Sequence, residues 1–197
     1  CGLDVKVLPG PGELLQPRRA AISDIRDIDV TDLLGRHVID TDLRSIATYL
    51  TGKRVLVTGA GGSIGSELCR QISRFGPSHL LMLDRDESGL HATQMSVEGQ
   101  ALLDSDDLLL CDIRDTGALH AAFERSRPEI VFHAAALKHV PILERDWGEG
   151  VRTNVFGSVN VADAAAAAGA AAMVVISTDK AIEPVSMLGA TKRLAEM

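Results

Sequence analysis

A glycine-rich turn between two regular segments constrains the fold of this chain more than any other feature. Residues 54–58 form an apolar run with the composition of a buried strand, and residues 63–75 have the pattern of a helix. Gly59, Gly62 and Gly65 recur at every third position across the junction. This order of strand, tight turn and helix predicts the opening unit of an α/β fold.

The same glycines indicate what the turn can bind. The first glycine permits the tight turn, the second admits a ligand close to the backbone, and the third lets the helix pack against the strand. The backbone N–H groups of Ser63 and Ile64 lie in the first helical turn, where the positive end of the helix dipole attracts anions. The loop therefore predicts a site for the pyrophosphate of a dinucleotide.

Alternating strands and helices continue along the chain. Predicted strands cover residues 54–58, 79–83, 107–111, 130–133 and 173–177, and predicted helices cover 63–75, 87–99, 115–125 and 155–168. The strand cores are almost wholly apolar, which is typical of parallel strands covered by helices on both faces. We therefore predict an α/β fold with a Rossmann-type doubly wound parallel sheet.

Residues 1–50 differ from the rest, because turn signals and charges interrupt every apolar stretch. The pattern predicts a strand at 5–8, turns at 9–12 and 31–35, and a helix that Thr41 caps and that reaches residue 50. Pieces of this length do not build a core of their own. We predict that residues 1–50 are an irregular arm or linker and that residues 51–197 are a dinucleotide-binding domain.

Composition excludes several classes of function. The chain has 197 residues, of which 46% are hydrophobic, and 27 acidic against 20 basic residues give a net charge of −7. This charge and an aromatic content of 3% argue against binding to nucleic acid. Cys1, Cys69 and Cys111 form no CxxC pair, so we predict no metal site. We find no signal peptide and no run that could span a membrane, and we expect a cytoplasmic location.

Acidic residues after the second and third strands support the dinucleotide prediction. Asp84 can accept hydrogen bonds from both adenosine ribose hydroxyls and repels a 2′-phosphate, which favours NAD over NADP. The adjacent Arg85 could hold that phosphate, so NADP stays open. Asp112 is placed to meet the adenine edge. A helix cap for Asp84 and a turn residue for Asp112 are the alternatives.

Polar residues follow the last predicted strand, at the sheet edge where doubly wound folds bind ligands. Thr178, Asp179 and Lys180 supply a hydroxyl, a carboxyl and an amine there, and Lys192 follows one helix later. Such groups can carry general acid–base chemistry. A solvated turn is the alternative, which the glycine-rich loop makes the weaker interpretation.

Several motifs together resemble one family. They are TGAGGSIGSE at 58–67, LDRDE at 83–87, CDIRD at 111–115, HAAALKHVP at 133–141, and STDK at 177–180 with GATKR at 189–193. Over about residues 50–197 the chain resembles the CapD-like polysaccharide-biosynthesis family of nucleotide-sugar 4,6-dehydratases, within the extended short-chain dehydrogenase/reductase superfamily. Residues 32–36 also resemble the segment before the catalytic domain of its long members, which are anchored at the membrane through parts outside such a chain.

This resemblance implies an activity and a role for each polar residue. A bound NAD(P)+ would take hydride from C4 of a UDP-N-acetylhexosamine such as UDP-N-acetylglucosamine and return it to C6. Lys180 would remove the C5 proton, and Asp179 would protonate the leaving C6 hydroxyl. Thr178 would hydrogen-bond the C4 oxygen, and Lys192 would bind the nicotinamide ribose.

The resemblance also implies which residues contact the cofactor and the UDP-sugar. The cofactor-binding residues would be Gly59, Gly62, Ser63, Ile64, Gly65, Asp84, Arg85, Asp112, Ile113, Ala134, Ala135 and Lys192. Lys138, His139 and Asn154 would line the substrate side of the cleft, whereas His133 is expected to pack at the end of its strand. A homo-oligomer is left open.

The sequence departs from the superfamily in two places. The usual catalytic pair is Tyr-x-x-x-Lys, but Leu188 stands where the tyrosine would precede Lys192, and it cannot accept a proton. The chain also ends before the lobe that would hold the UDP-sugar, so we expect this piece to bind cofactor without turnover. An epimerase, an elimination that inverts C5, and a non-catalytic dinucleotide-binding module are the alternatives.

Overall fold

The computed structural model describes residues 6–7, 26–27, 43–100 and 105–197. The chain divides into two compact units, Cys1–Asp42 and Leu43–Met197. In the first unit, β1 (Lys6–Val7) pairs antiparallel with β2 (Arg26–Asp27). This pairing confirms part of the predicted strand at 5–8. The predicted turns at 9–12 and 31–35 and the cap at Thr41 lie outside the described residues.

Among the described residues, the second unit contains a sheet of five parallel strands. They are β3 (Arg54–Thr58), β4 (His79–Asp84), β5 (Leu108–Leu110), β6 (Ile130–His133) and β7 (Ala172–Val175). Their spatial order is β5-β4-β3-β6-β7, so the chain builds outward from β3 and then returns to build the other half. Thr58 lies opposite both Leu83 and His133. The predicted doubly wound parallel sheet is confirmed.

Helices connect the strands and cover the sheet. Within the described ranges they are α1 (Leu43–Leu50), α2 (Ser63–Ser73), α3 (Glu87–Glu98), α4 (Thr116–Ser126), α5 (Val140–Arg145), α6 (Trp147–Gly150), α7 (Gly157–Ala168) and α8 (Met187–Ala195). A π-helical segment covers Val151–Phe156, and a 3-10 turn covers Asp179–Ala181. None of the helices in these ranges combines the length with the apolar content that a bilayer span requires.

Local side chains explain where several helices begin and end. Asp86 caps α3 by accepting a hydrogen bond from Ser88 N, and Asp115 caps α4 by accepting one from Ala118 N. α3 ends at Gly99, whose left-handed φ of 72° is rare for other residues. The predicted helices at α2 and α3 are confirmed apart from their last residues, and the predicted helix at 115–125 is confirmed as α4 with a shift of one residue at each end. The predicted helix at 155–168 begins later than expected because the π-helical segment precedes it.

Consecutive residues of β3 face opposite helical layers. Leu56 packs with Leu119 of α4 and Val161 of α7, whereas Val55 packs with Cys69 of α2 on the other face. Because both faces are covered, the strands show no polar alternation. Each buried leucine or valine side chain stabilises the fold by about 1.5–3 kcal/mol.

The helix α1 packs against the sheet through its last turn. Leu50 is buried in the cluster that contains Val55, and Ile46 packs against the same cluster. The division between the two compact units accordingly falls after Asp42. The predicted division into an arm at 1–50 and a dinucleotide-binding domain at 51–197 stays a prediction.

Candidate functional site

The glycine-rich loop lies against the segment that follows β6. Gly59 has a φ of +69°, and a Cβ atom placed there would lie 2.5 Å from the backbone N of Ala135. A Cβ atom on Gly65 would overlap the carbonyl oxygen of Gly59. Gly62 N donates a hydrogen bond of 3.0 Å to Gly59 O and closes the turn. The backbone therefore requires glycine at positions 59 and 65.

The N-terminus of α2 emerges from this loop without a side-chain cap. Its N-cap residue is Gly62, and no described side chain accepts a hydrogen bond from the N–H groups of the first turn. Lys138 Nζ donates to Ser63 Oγ over 3.5 Å, so an ammonium group lies beside this helix end. The helix dipole and the lysine charge together favour a bound anion.

A cleft of about 220 Å³ runs along the carboxyl ends of the central strands. The predicted cofactor residues that line it are Gly59, Gly62, Asp84, Arg85, Asp112, Ile113, Ala134 and Ala135. Residues not singled out from the sequence also line it, namely Gly61, Leu83, Asp86, Cys111, Ala136, Leu137 and Thr153. The cleft lies where the strand order reverses, which is where doubly wound folds bind ligands.

Two backbone groups hold the Asp84 carboxylate at the end of β4. Gly61 N donates to Oδ2 over 2.9 Å, and Asp86 N donates to Oδ1 over 3.0 Å. Each carboxylate oxygen keeps a second lone pair, which a ribose hydroxyl can use. Gly61 also approaches α3 closely, because a Cβ atom there would lie 2.8 Å from the Cα of Gly89. In the sequence, the adjacent pair Gly61 and Gly62 was the signal that could have identified Gly61.

Asp112 and Arg85 meet in the lining of the cleft. Arg114 Nη2 donates to Asp112 Oδ2 over 2.6 Å, and Arg85 Nη1 lies 3.6 Å from the same oxygen. The hydrogen bonds from Arg114 lower the pKa of Asp112 to about 2, so its carboxyl group is ionised at neutral pH. The positive charge of Arg85 therefore lies beside the ionised carboxylate of Asp112.

Thr153 contributes a buried hydroxyl that the sequence analysis missed. Thr153 lines the cleft from the π-helical segment, and within the described residues its buried Oγ1 has no hydrogen-bond partner. A buried polar group without a partner is costly, so natural proteins usually keep one for a ligand or a water molecule. The segment's π-helical geometry is a further indication of function, but it cannot be seen in the sequence.

The predicted catalytic residues follow β7 and lie outside the cleft lining. Thr178 Oγ1 donates to Asp179 Oδ1 over 3.0 Å, and Lys180 Nζ lies 3.5 Å from the same oxygen. The side chains of Asp179 and Lys180 are 85% and 55% exposed. The hydrogen bond from Thr178, aided by the charge of Lys180, lowers the pKa of Asp179. These residues form a cluster on the solvent side of the sheet edge.

Lys192 and Leu188 lie one turn apart on α8. Lys192 is buried, and its Nζ donates to Ile176 O over 2.9 Å, just after β7. Burial lowers the pKa of Lys192. Within the described ranges, two N–H groups of the ammonium remain for a ligand. Leu188 is buried as well and offers no proton acceptor in its side chain.

The motifs and this geometry agree with a known family. Residues 55–197 match the family described as "Polysaccharide biosynthesis protein". The chain belongs to the polysaccharide biosynthesis protein family. The resemblance inferred from the sequence motifs is thereby confirmed.

Two relatives and one solved structure show the extent of the similarity. The chain is 40% identical over 200 residues to the probable polysaccharide biosynthesis protein EpsC of Bacillus subtilis, across 100% of this chain and 33% of EpsC. It is 35% identical over 144 residues to a UDP-N-acetylglucosamine 4,6-dehydratase (inverting) of Campylobacter jejuni, across 72% and 41%. A UDP-glucose-4-epimerase of Stenotrophomonas maltophila, solved with NAD and formylated UDP-arabinopyranose, is 26% identical with a TM-score of 0.63, across 73% and 46%. The chain spans less than half the length of each.

In this member of the polysaccharide biosynthesis protein family, a buried chain of hydrogen bonds links the loop to the π-helical segment. Ser158 Oγ donates to Asn154 O over 2.7 Å, which uses its only proton. His133 Nε2–H therefore donates to Ser158 Oγ over 2.9 Å, and Thr58 Oγ1 donates to His133 Nδ1 over 2.6 Å. Burial, aided by the charge of Lys192, lowers the pKa of His133 to about 4. The expected packing role of His133 is confirmed.

The predicted substrate-side residues divide into exposed and buried groups. Lys138 and His139 are exposed beside the loop. Asn154 is buried, where its Oδ1 accepts from Leu137 N over 2.8 Å and its Nδ2 donates to Leu137 O and Thr191 Oγ1. Asn154 thus holds the cleft-lining segment at Leu137 against α8. Its predicted contact with a substrate stays a prediction.

Proposed function

We propose that the chain is the cofactor-binding part of a nucleotide-sugar 4,6-dehydratase that uses NAD and acts on a UDP-N-acetylhexosamine. The observation that carries this proposal is the cluster of Thr178, Asp179 and Lys180, which supplies a candidate acid and a candidate base next to α8. Similarity to the Campylobacter jejuni dehydratase supports the same reaction class. The predicted cytoplasmic location and self-association stay predictions.

The residues of the cleft suit a dinucleotide. The loop at Gly59 leaves no room for a side chain, α2 offers an uncapped N-terminus, and the Thr153 hydroxyl has no partner in the described part of the chain. When bound, NAD would supply the hydride acceptor and donor that the reaction needs. Asp84 would bind the ribose, and its charge supports NAD over NADP because it repels a 2′-phosphate.

Proton transfers would belong to the cluster after β7. Lys180 would remove the C5 proton, and Asp179 would give a proton to the leaving C6 hydroxyl. Asp179 must be protonated for this step, whereas the Thr178 hydrogen bond and the Lys180 charge lower its pKa in the exposed cluster. A substrate that covered Asp179 would exclude water and raise its pKa. We infer that the acid forms only when the sugar is bound.

The C4 oxygen needs a partner that Leu188 cannot provide. Thr178 would hydrogen-bond this oxygen, and the buried Lys192 would bind the nicotinamide ribose with its two remaining N–H groups. Losing a general base costs on the order of 10²–10⁴-fold in rate. We therefore expect slow turnover unless Thr178 or a water molecule takes the proton.

Incubation with UDP-N-acetylglucosamine and NAD in heavy water tests the proposal. The protein should be used at its natural full length, since this chain spans 41% of the dehydratase it resembles. We expect a product that has lost one water and carries deuterium at C5, detected by mass spectrometry and proton NMR. Lys180→Ala should abolish the product, and Lys53→Ala, which removes an exposed ion pair with Glu129, should not.

Similarity to the UDP-glucose-4-epimerase makes epimerisation the second candidate. An epimerase returns hydride to C4 and needs no base at C5. A C4 epimer without deuterium at C5, formed equally well by Lys180→Ala, would replace the dehydratase proposal with this one. Cofactor binding without conversion of any UDP-sugar would instead indicate a non-catalytic dinucleotide-binding module.

A further inference from the structure

A line of alternating charges runs from the cleft to α6. Arg114 Nη1 lies 2.9 Å from Glu149 Oε2, and Arg152 Nη1 lies 2.6 Å from Glu149 Oε1. On its other side, Arg114 donates through Nη2 to Asp112 Oδ2 over 2.6 Å and through Nε to both carboxylate oxygens over 3.0 Å. Arg114 thus joins a residue of the cleft lining to a helix outside it.

Asp112 lies at the boundary between two concave surfaces. It lines the 220 Å³ cleft together with Arg85 and Ile113. It also lines a neighbouring open groove together with Arg114 and Arg152. Asp112 therefore borders both the cleft and the groove, while its guanidinium partner Arg114 lines the groove.

The guanidinium group of Arg114 restricts the rotation of the Asp112 carboxylate. Arg114 N also donates to Asp112 Oδ1 over 3.0 Å, so one residue contacts both carboxylate oxygens through backbone and side chain. Planar contacts of this kind fix orientation as well as charge. Because Glu149 holds Arg114 from α6, the orientation of Asp112 depends on a residue distant in the sequence. Without the Arg114 side chain, the backbone N–H of residue 114 and the charge of Arg85 would be the remaining described groups beside the carboxylate, and they hold it less firmly.

A fixed carboxylate can distinguish two purines. It accepts a hydrogen bond from the 6-amino group of adenine, whereas it repels the 6-carbonyl oxygen of hypoxanthine. We propose that Arg114 is a positioning residue that sets the preference for an adenine base through Asp112, with Glu149 as its anchor on α6. This inference rests on the proposed function in one respect, that the cleft binds NAD.

Titration calorimetry with two dinucleotides tests this inference on the 197-residue chain. The probes are NAD and nicotinamide hypoxanthine dinucleotide, added after any co-purified dinucleotide has been removed. We expect the unchanged chain to prefer NAD by about tenfold or more, the ratio that one hydrogen bond to a charged group supplies. Arg114→Ala should reduce this preference to about threefold or less, and Glu149→Gln should reduce it by a smaller factor.

Two further variants separate positioning from general damage. Arg114→Lys should restore part of the preference, because a single ammonium group still contacts the carboxylate. Arg152→Ala is the matched control, since it removes the other cation of Glu149 and leaves the contacts of Asp112 intact. Asp112→Ala should abolish or reverse the preference, because Arg114 would then donate to the 6-carbonyl oxygen.

The outcomes distinguish this inference from the proposed function. If the unchanged chain binds neither dinucleotide, the proposed NAD site fails and the inference fails with it. If NAD binds and Arg114→Ala keeps the full preference, only the inference is overturned. Equal weakening of both dinucleotides by Arg114→Ala and Glu149→Gln would also overturn it, because a merely structural role predicts that result.

Discussion

The dinucleotide cleft and the cluster after β7 lie at the same edge of the sheet but differ in how far they are organised. In the cleft, backbone groups hold Asp84, Arg114 holds Asp112, and buried side chains hold the surrounding backbone. In the cluster, Asp179 and Lys180 are mostly exposed and contact mainly each other and Thr178. The difference indicates that this chain prearranges the proposed cofactor site, whereas the proposed proton transfers would depend on what covers the cluster.

The largest expected effect is on the cleft, which is the more organised of the two regions. Gly59→Ala should weaken NAD binding by roughly 100-fold or more, because the new Cβ would meet the backbone of Ala135 and the positive φ would be strained. Titration calorimetry measures the loss. Gly148→Ala is the control, since nothing lies within 4 Å of a Cβ atom there. Tight binding by Gly59→Ala would show that the loop does not contact the ligand.

Acid should lower the free energy of unfolding of the same region through protonation of His133. Its pKa is about 4 in the folded chain against an ordinary value of 6.5, so the unfolded chain binds the proton more readily. Stability is therefore complete above pH 6.5 and falls by about 3 kcal/mol as the pH decreases through 4. Urea unfolding at pH 7 and pH 4.5 measures this decrease. His133→Gln should be less stable at pH 7 with a smaller decrease, and an unchanged decrease would assign the acid sensitivity to other groups.

The hydroxyl of Thr153 should have opposite effects on binding and on stability. Thr153→Val should weaken NAD binding about three- to tenfold and should leave the unliganded chain equally stable or up to ~1 kcal/mol more stable. The reason is that a methyl group replaces a hydroxyl that has no partner among the residues described. Calorimetry and urea unfolding measure the two effects. Thr93→Val is the control, since the single O–H of Thr93 is shared between Ala60 O and Gly89 O, each 2.9 Å from Oγ1, and its loss should destabilise the chain. Equal destabilisation by both variants would contradict a ligand role for Thr153.

The smallest expected effects are those of substitutions in the exposed cluster after β7. Asp179→Asn and Lys180→Ala should each change the free energy of unfolding by less than about 0.5 kcal/mol, because both side chains are exposed. NAD affinity should also stay unchanged, since neither residue lines the cleft. A marked loss of stability in either variant would mean that the cluster is organised by the fold, as the cleft is.

Most of the architecture could be predicted because its signals are local. The apolar runs at β3, β4 and β6 identified strands buried on both faces, and Gly59 to Gly65 identified the turn between β3 and α2. Leu56, for example, can be assigned to the core because hydrophobic residues flank it in the sequence. Such features follow from side-chain volume, backbone freedom and periodicity, which the sequence contains in full.

The site was predicted less completely because several of its contacts join distant residues. Asp112 lines the cleft, and its predicted contact with adenine stays a prediction, but its link to Glu149 through Arg114 was not foreseen, since α6 packing brings these residues together. Thr153 gave no signal, because its hydroxyl becomes a candidate ligand group only when the π-helical segment is buried beside the cleft.

The sequence by itself determined the doubly wound sheet, the glycine loop and the acidic residues at the strand ends. Each of these depends on residues that are neighbours in the chain, so composition and spacing are sufficient. Only the tertiary structure decided which lone pairs and N–H groups remain available to a ligand. Availability depends on burial and on partners from other elements, and for Asn154, His133 and Lys192 those partners lie on segments far apart in the sequence.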